Sequence, residues 1–162
     1  MKIANYIQDS IVDGPGLRFT LFTQGCPHHC PGCHNPQTHA FDGGKEIPVE
    51  ELTKIILHNP LTDGITLSGG EPFAQPEACA ELARRVREKG LNVWAYSGWT
   101  FEELLRGTPA QRELLGLCDV LVDGPFVLTQ RSLSLKWRGS TNQRVIDVPK
   151  SLAAGDAVLF KG

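Results

Sequence analysis

LRFTLFTQGC (residues 17–26) carries an apolar, β-branched run straight into Gly25 and Cys26. This composition predicts a strand over 17–24 that delivers a cysteine loop from its C-terminal end. Three later stretches leave an apolar run in the same way, through glycine beside a polar residue: SGGEP (68–72), YSGWT (96–100) and VDGPF (122–126). They predict strands within 64–72, 91–98 and 117–125. Helical patterns lie between them. Pro48 opens VEELTKIILHN, where Val49, Leu52, Ile55 and Ile56 recur at helical spacing. PEACAELARRVREKG (76–90) starts on proline, places Ala78, Cys79, Leu82 and Val86 on one face and stops at Gly90. TFEELLRG (100–107) sets Thr100 and Glu103 at capping-box spacing. Short apolar runs at 143–148 and 157–160 read as further strands.

Strands alternating with helices imply right-handed crossovers and a mostly parallel sheet. In such folds sites gather at the C-terminal strand ends, so the cysteine loop and the three glycine turns would face one mouth. A complete eight-unit barrel needs roughly 200 residues or more, and the chain has 162. The expectation is an α/β fold, an incomplete, open βα-barrel. With no repeat, low-complexity tract or linker-like stretch, residues 1–162 are expected to form a single domain.

The net charge of -2 provides no basic field for nucleic acid. No apolar run approaches the ~20 residues of a membrane span. The opening MKIANYIQDSIVDG is mixed and acidic, unlike a secretory signal. A reducing, cytoplasmic setting is expected, where clustered cysteines serve metals or catalysis more often than disulfides.

GCPHHCPGCHN (25–35) places Cys26, Cys30 and Cys33 within eight positions. A structural zinc site would want a fourth ligand, which His28, His29 or His34 could supply. A disulfide with one spare thiol is a second reading. The third is an iron–sulfur cluster, normally held by four cysteines; with three, one iron would stay open to a substrate. Gly69, Gly70 and Glu71 end a strand, where glycine admits a ligand close to the backbone and a carboxylate can pair with an ammonium group.

CPHHCPGC has the CxxxCxxC spacing of radical S-adenosylmethionine (SAM) enzymes, and GGEP resembles their methionine-binding motif. DGPGLR (13–18) followed by the strand and the cysteine loop is similar to the signature of glycyl-radical-enzyme activating enzymes. Within that group, the short length and WRGSTNQRVIDV (137–148) resemble the activators of anaerobic (class III) ribonucleoside-triphosphate reductase. The similarity runs from about Asp13 to about Val148. Where many radical SAM motifs carry an aromatic residue before the third cysteine, this chain has Gly32.

The resemblance implies that Cys26, Cys30 and Cys33 ligate a [4Fe-4S] cluster, and that Gly69, Gly70 and Glu71 line the amino group of SAM on the open iron. It implies a 5′-deoxyadenosyl radical that abstracts hydrogen from a glycine of the reductase partner, with the electron supplied by a donor such as a flavodoxin or ferredoxin. Catalysis would rest on the cofactors, without an acid–base pair. Tyr96, Ser97 and Asp123 are further cofactor-binding candidates, and Asn142 and Arg144 belong to the family-like stretch. Other readings are an activator of pyruvate formate-lyase, a radical SAM enzyme acting on a small molecule such as a deazapurine precursor, and a zinc-binding interaction module. Cys79 and Cys118 read as small buried hydrophobes. His28 and His29 lie between two of the cysteines; one reading has them shape a cluster's hydrogen-bond environment, and the simpler, preferred one is solvated loop residues. Trp94, Trp99 and Trp137 read as core or partner-facing aromatics. Docking is expected around the mouth, through 27–47 and the C-terminal segment.

Overall fold

The computed structural model describes residues 1–28, 30–33, 35–132 and 134–161. Seven strands form one sheet: β1 (Lys2–Ser10), β2 (Arg18–Thr23), β3 (Lys45–Glu46), β4 (Gly64–Gly69), β5 (Asn92–Tyr96), β6 (Val120–Asp123) and β7 (Arg144–Asp147), in the order β3-β1-β2-β4-β5-β6-β7. The central β2, β4, β5 and β6 pair in parallel, whereas β1, β3 and β7 add antiparallel margins. The sheet stays open, with β3 and β7 as its edges. Helices α1 (Val49–Leu57), α2 (Pro76–Arg87), α3 (Phe101–Leu105) and α4 (Pro109–Leu117) lie between the parallel strands, and α5 (Val148–Ala154) follows β7.

Strand alternation sorts the two faces. Leu21, Ile65, Leu67, Val93 and Leu121 pack with Leu52, Ile56, Leu82, Val86 and Leu114 of the helices in the main core. The intervening positions Trp94, Val120 and Val122 build a second cluster with Trp137, Val145 and Phe160.

The DGPGLR stretch acquires a physical reason here. Arg18 is fully buried. Its guanidinium donates to Thr66 Oγ1 (2.7 Å), Pro15 O (3.0 Å) and Ile65 O (2.7 Å) and lies 5.6 Å over the Trp94 ring. Burial pushes its pKa down to about 10. A Cβ at Gly14 (φ +139°) would sit 2.8 Å from Arg18 Cδ, so glycine is what lets the bend close over this side chain.

Several elements differ from the sequence expectation. β1 escaped pattern reading because register shifts between Ile3 and Asn5 and between Ile7 and Ser10 break its alternation. α4 begins on Thr108, whose hydroxyl and the Gln111 amide complete a second capping box directly after Gly107. Val148 starts α5 rather than ending a strand, with the Asp147 carboxylate accepting from Lys150 N. The strand expected over 157–160 reduces to a bridge between Leu159 and Ile146, because Val158 N donates to Ser151 Oγ instead of a ladder partner.

Candidate active site

The C-terminal ends of β2, β4, β5 and β6 meet at a cavity of about 530 Å³. Its wall includes Cys26, Cys30 and Cys33, Gly69 and Gly70, and Tyr96 and Ser97. Sequence positions as distant as 26 and 97 are thus brought together by the parallel register. His29 and His34 lie outside the described residues.

Backbone bonds fix the cysteine loop. Gly25 N donates to Thr38 O (2.6 Å), Cys26 N to His39 O (3.1 Å) and Cys33 N to Cys30 O (3.1 Å). The Thr38 hydroxyl joins this loop to β4, donating to Asn35 O (2.6 Å) and accepting from Gly70 N (2.7 Å). One sulfur, Cys33 Sγ, receives a backbone N–H group, from Asn35 N (3.5 Å). Burial pushes the Cys26 thiol pKa up. Gly32 has φ +72°, and a Cβ there would lie 2.7 Å from Leu128 Cδ1, so an aliphatic side chain lies against the place where other motifs carry an aromatic residue.

The twin glycines also have a packing reason. A Cβ on Gly69 (φ +126°) would strike the Thr23 backbone, and one on Gly70 would strike the Thr23 and Gly25 carbonyls. Glu71 N then donates to Gly25 O (2.8 Å). The end of β4 is therefore pressed against the segment that delivers Cys26. Gly70→Ala is expected to cost roughly 2 kcal/mol or more, since neither backbone can yield without moving the loop; the urea midpoint measures it.

The Glu71 carboxylate is fully buried and is not on the cavity wall. It accepts from His28 Nε2 (2.6 Å), Ser97 Oγ (2.9 Å), Gly98 N (2.8 Å) and Phe73 N (3.1 Å). Asp123 is likewise buried away from the wall, accepting from Phe101 N (2.7 Å) at the start of α3 and from Arg144 (2.6 and 3.1 Å). Arg144 also reaches Glu102 (2.6 Å), and these carboxylates raise its pKa. Asn142 Nδ2 donates to Pro125 O (2.8 Å) and Gln143 Nε2 to Gly124 O (3.0 Å), so RGSTNQR secures the turn after β6. Tyr96 does face the cavity, and burial raises its phenol pKa. Trp137 lines it too, edge-on to Trp94 with centroids 4.9 Å apart.

His28 is the residue that sequence reasoning undervalued. Its side chain is only 14% exposed, set against Glu71 and edge-on to Trp99, which corrects its reading as a solvated loop residue. Cys79 and Cys118 are buried in the main core, and desolvation raises both thiols, Cys118 to about 12. Cys79→Ala is expected to leave reconstituted iron content at the wild-type level while costing about 1 kcal/mol of stability.

Among the described residues, no three His, Cys, Asp or Glu side chains converge to hold one metal ion. A cubane cluster does not ask for convergence on one point, because each thiolate takes a different iron. Three thiols on the cavity wall, one of them receiving an N–H bond, beside a side-chain-free strand end, fit such a cluster with a ligand next to it.

The same class emerges from comparison with known proteins. Residues 12–146 match the family model described as a 4Fe-4S single cluster domain. The chain is 39% identical over 155 residues to the anaerobic ribonucleoside-triphosphate reductase-activating protein of Escherichia coli (strain K12), covering 90% of this chain and 97% of that one. Its counterpart in Vibrio cholerae serotype O1 is 38% identical, covering 88% and 96%. The pyruvate formate-lyase-activating enzyme of Clostridium pasteurianum is 40% identical over 107 residues, which cover 60% of this chain and 45% of that one. A crystal structure of QueE from Escherichia coli overlays with a TM-score of 0.49 at 19% identity, covering 61% and 52%. The chain belongs to the 4Fe-4S single cluster domain family, among the anaerobic ribonucleoside-triphosphate reductase-activating proteins.

Proposed function

We propose that this chain is a radical SAM activating enzyme that installs a glycyl radical on anaerobic ribonucleoside-triphosphate reductase. The observation that carries this reading is the meeting of Cys26, Cys30 and Cys33 with the Gly69–Gly70 strand end on one cavity. When bound, the [4Fe-4S] cluster and SAM would supply reductive sulfonium cleavage and a hydrogen-abstracting carbon radical.

The chain's own residues position and shield. Cys26, Cys30 and Cys33 would each hold one iron. Gly69 and Gly70 would present backbone to the methionine part of SAM, unhindered by side chains. Glu71 and Asp123 brace the loops around that position, since their oxygens already accept from protein donors. Tyr96, Ser97 and Trp137 would enclose the ligand and exclude water. The cavity opens at the strand ends, where a glycine-bearing segment of a folded partner could enter. The remainder of the reading comprises a flavodoxin or ferredoxin as electron donor and a cytoplasmic location. No helix among the described residues is long and apolar enough to cross a membrane.

A pyruvate formate-lyase partner is the second reading, favoured by the relative from Clostridium pasteurianum. Incubating reconstituted, reduced protein and SAM separately with each candidate partner distinguishes them. The doublet EPR signal of a glycyl radical is expected on the reductase; a signal on the lyase alone would reverse the assignment.

A further inference from the structure

We infer that His28 is a positioning residue for the cysteine loop: its side chain, fastened to Glu71, holds the segment between Cys26 and Cys30 against the ends of β4 and β5. The inference rests on Cys26 being a cluster ligand.

Several contacts built around the imidazole support it. Nε2–H donates to Glu71 Oε1 at 2.6 Å, and the side chains are 14% and 0% exposed, so this hydrogen bond is largely shielded from water. The ring stands edge-on to Trp99, with centroids 4.8 Å apart and planes at 75°. Gly98 makes room for it, because a Cβ there would lie 2.5 Å from His28 Cδ2. Glu71 is itself immobilised by Phe73 N, Ser97 Oγ and Gly98 N. An anchor on the ends of β4 and β5 therefore reaches the loop midway between the first two thiols. Cys26 is itself buried beside this anchor. Releasing the ring would free the segment between the first two thiols and expose Cys26.

Gln at 28 can place its terminal N–H₂ near the position of Nε2, whereas Asn places it nearer that of Nδ1 and Ala places nothing. This ordering separates a specific anchor from general packing. The first arm uses apo protein: rates of iodoacetamide labelling at Cys26, read by peptide mass spectrometry. His28→Ala and His28→Asn are expected to label about tenfold faster than wild type, the scale of one lost charge-assisted hydrogen bond, and His28→Gln at close to the wild-type rate. The second arm uses reconstituted protein, where iron and sulfide content is expected to fall in His28→Ala and His28→Asn and to return toward wild type in His28→Gln. Equal labelling rates across all four proteins, or a Gln variant that behaves like Ala, would overturn the role of His28. A wild-type protein that takes up no iron and sulfide would overturn the cluster assignment, while the labelling arm still decides whether the imidazole anchors Cys26.

Discussion

The Cys30→Ala protein, treated with iron and sulfide, reduced with dithionite and mixed with SAM under anaerobic conditions, is expected to release essentially no 5′-deoxyadenosine. The loss should exceed about a hundredfold, since removing a mere outer partner of a metal ligand already costs ten- to hundredfold. Cys30 and Cys33 lie on the cavity wall with Cys26, and no fourth described cysteine reaches it: Cys79 and Cys118 are locked in the core. A spare thiol therefore cannot substitute. Cys26→Ala and Cys33→Ala should behave alike, whereas Cys79→Ala and Cys118→Ala should retain cleavage. Wild-type cleavage by Cys30→Ala would show that the ligand set is wrong.

The second large effect concerns stability. Arg144→Ala is expected to cost roughly 3 kcal/mol, because it strands a buried carboxylate. Asp123 is 1% exposed and, among the described residues, would keep only Phe101 N as a donor. The bond from Arg144 to the half-exposed Glu102 should contribute little, as surface pairs do. A double-mutant cycle with Asp123→Asn checks this division in urea melts. Strong coupling to Asp123 and weak coupling to Glu102 is the expected result. If Arg144→Ala melts like wild type, Asp123 is not held by this pair, and a direct role at the cavity becomes the better account of its carboxylate.

The parallel centre and the four loops at one mouth were legible because each depends on local signals. Apolar runs ended in glycine, helices carried proline or threonine starts, and the cysteine spacing stood alone. What stayed hidden depends on pairs far apart in sequence. Nothing near His28 announces Glu71, 43 positions away, and nothing near Asp123 announces Arg144, 21 positions away. Both carboxylates had been read as facing a ligand, yet each is enclosed by protein donors, one holding the cysteine loop and the other joining β6, β7 and α3. Bulges concealed β1, since a single inserted residue inverts the alternation on which strand reading depends. The glycines show the opposite case. Gly69 and Gly70 stand out in the sequence as a strand-ending pair, and their tightest constraint is the Thr23 and Gly25 backbone behind them.

The central claim is that this cavity makes radicals for one partner. It is tested most directly by X-band EPR on anaerobic reductase incubated with reconstituted activator, dithionite and SAM, alongside chromatography for 5′-deoxyadenosine. The account predicts a glycyl doublet on the reductase and 5′-deoxyadenosine in at least equal amount. Cleavage of SAM with no doublet would contradict the choice of partner, and a protein that holds zinc and leaves SAM intact would contradict the account as a whole.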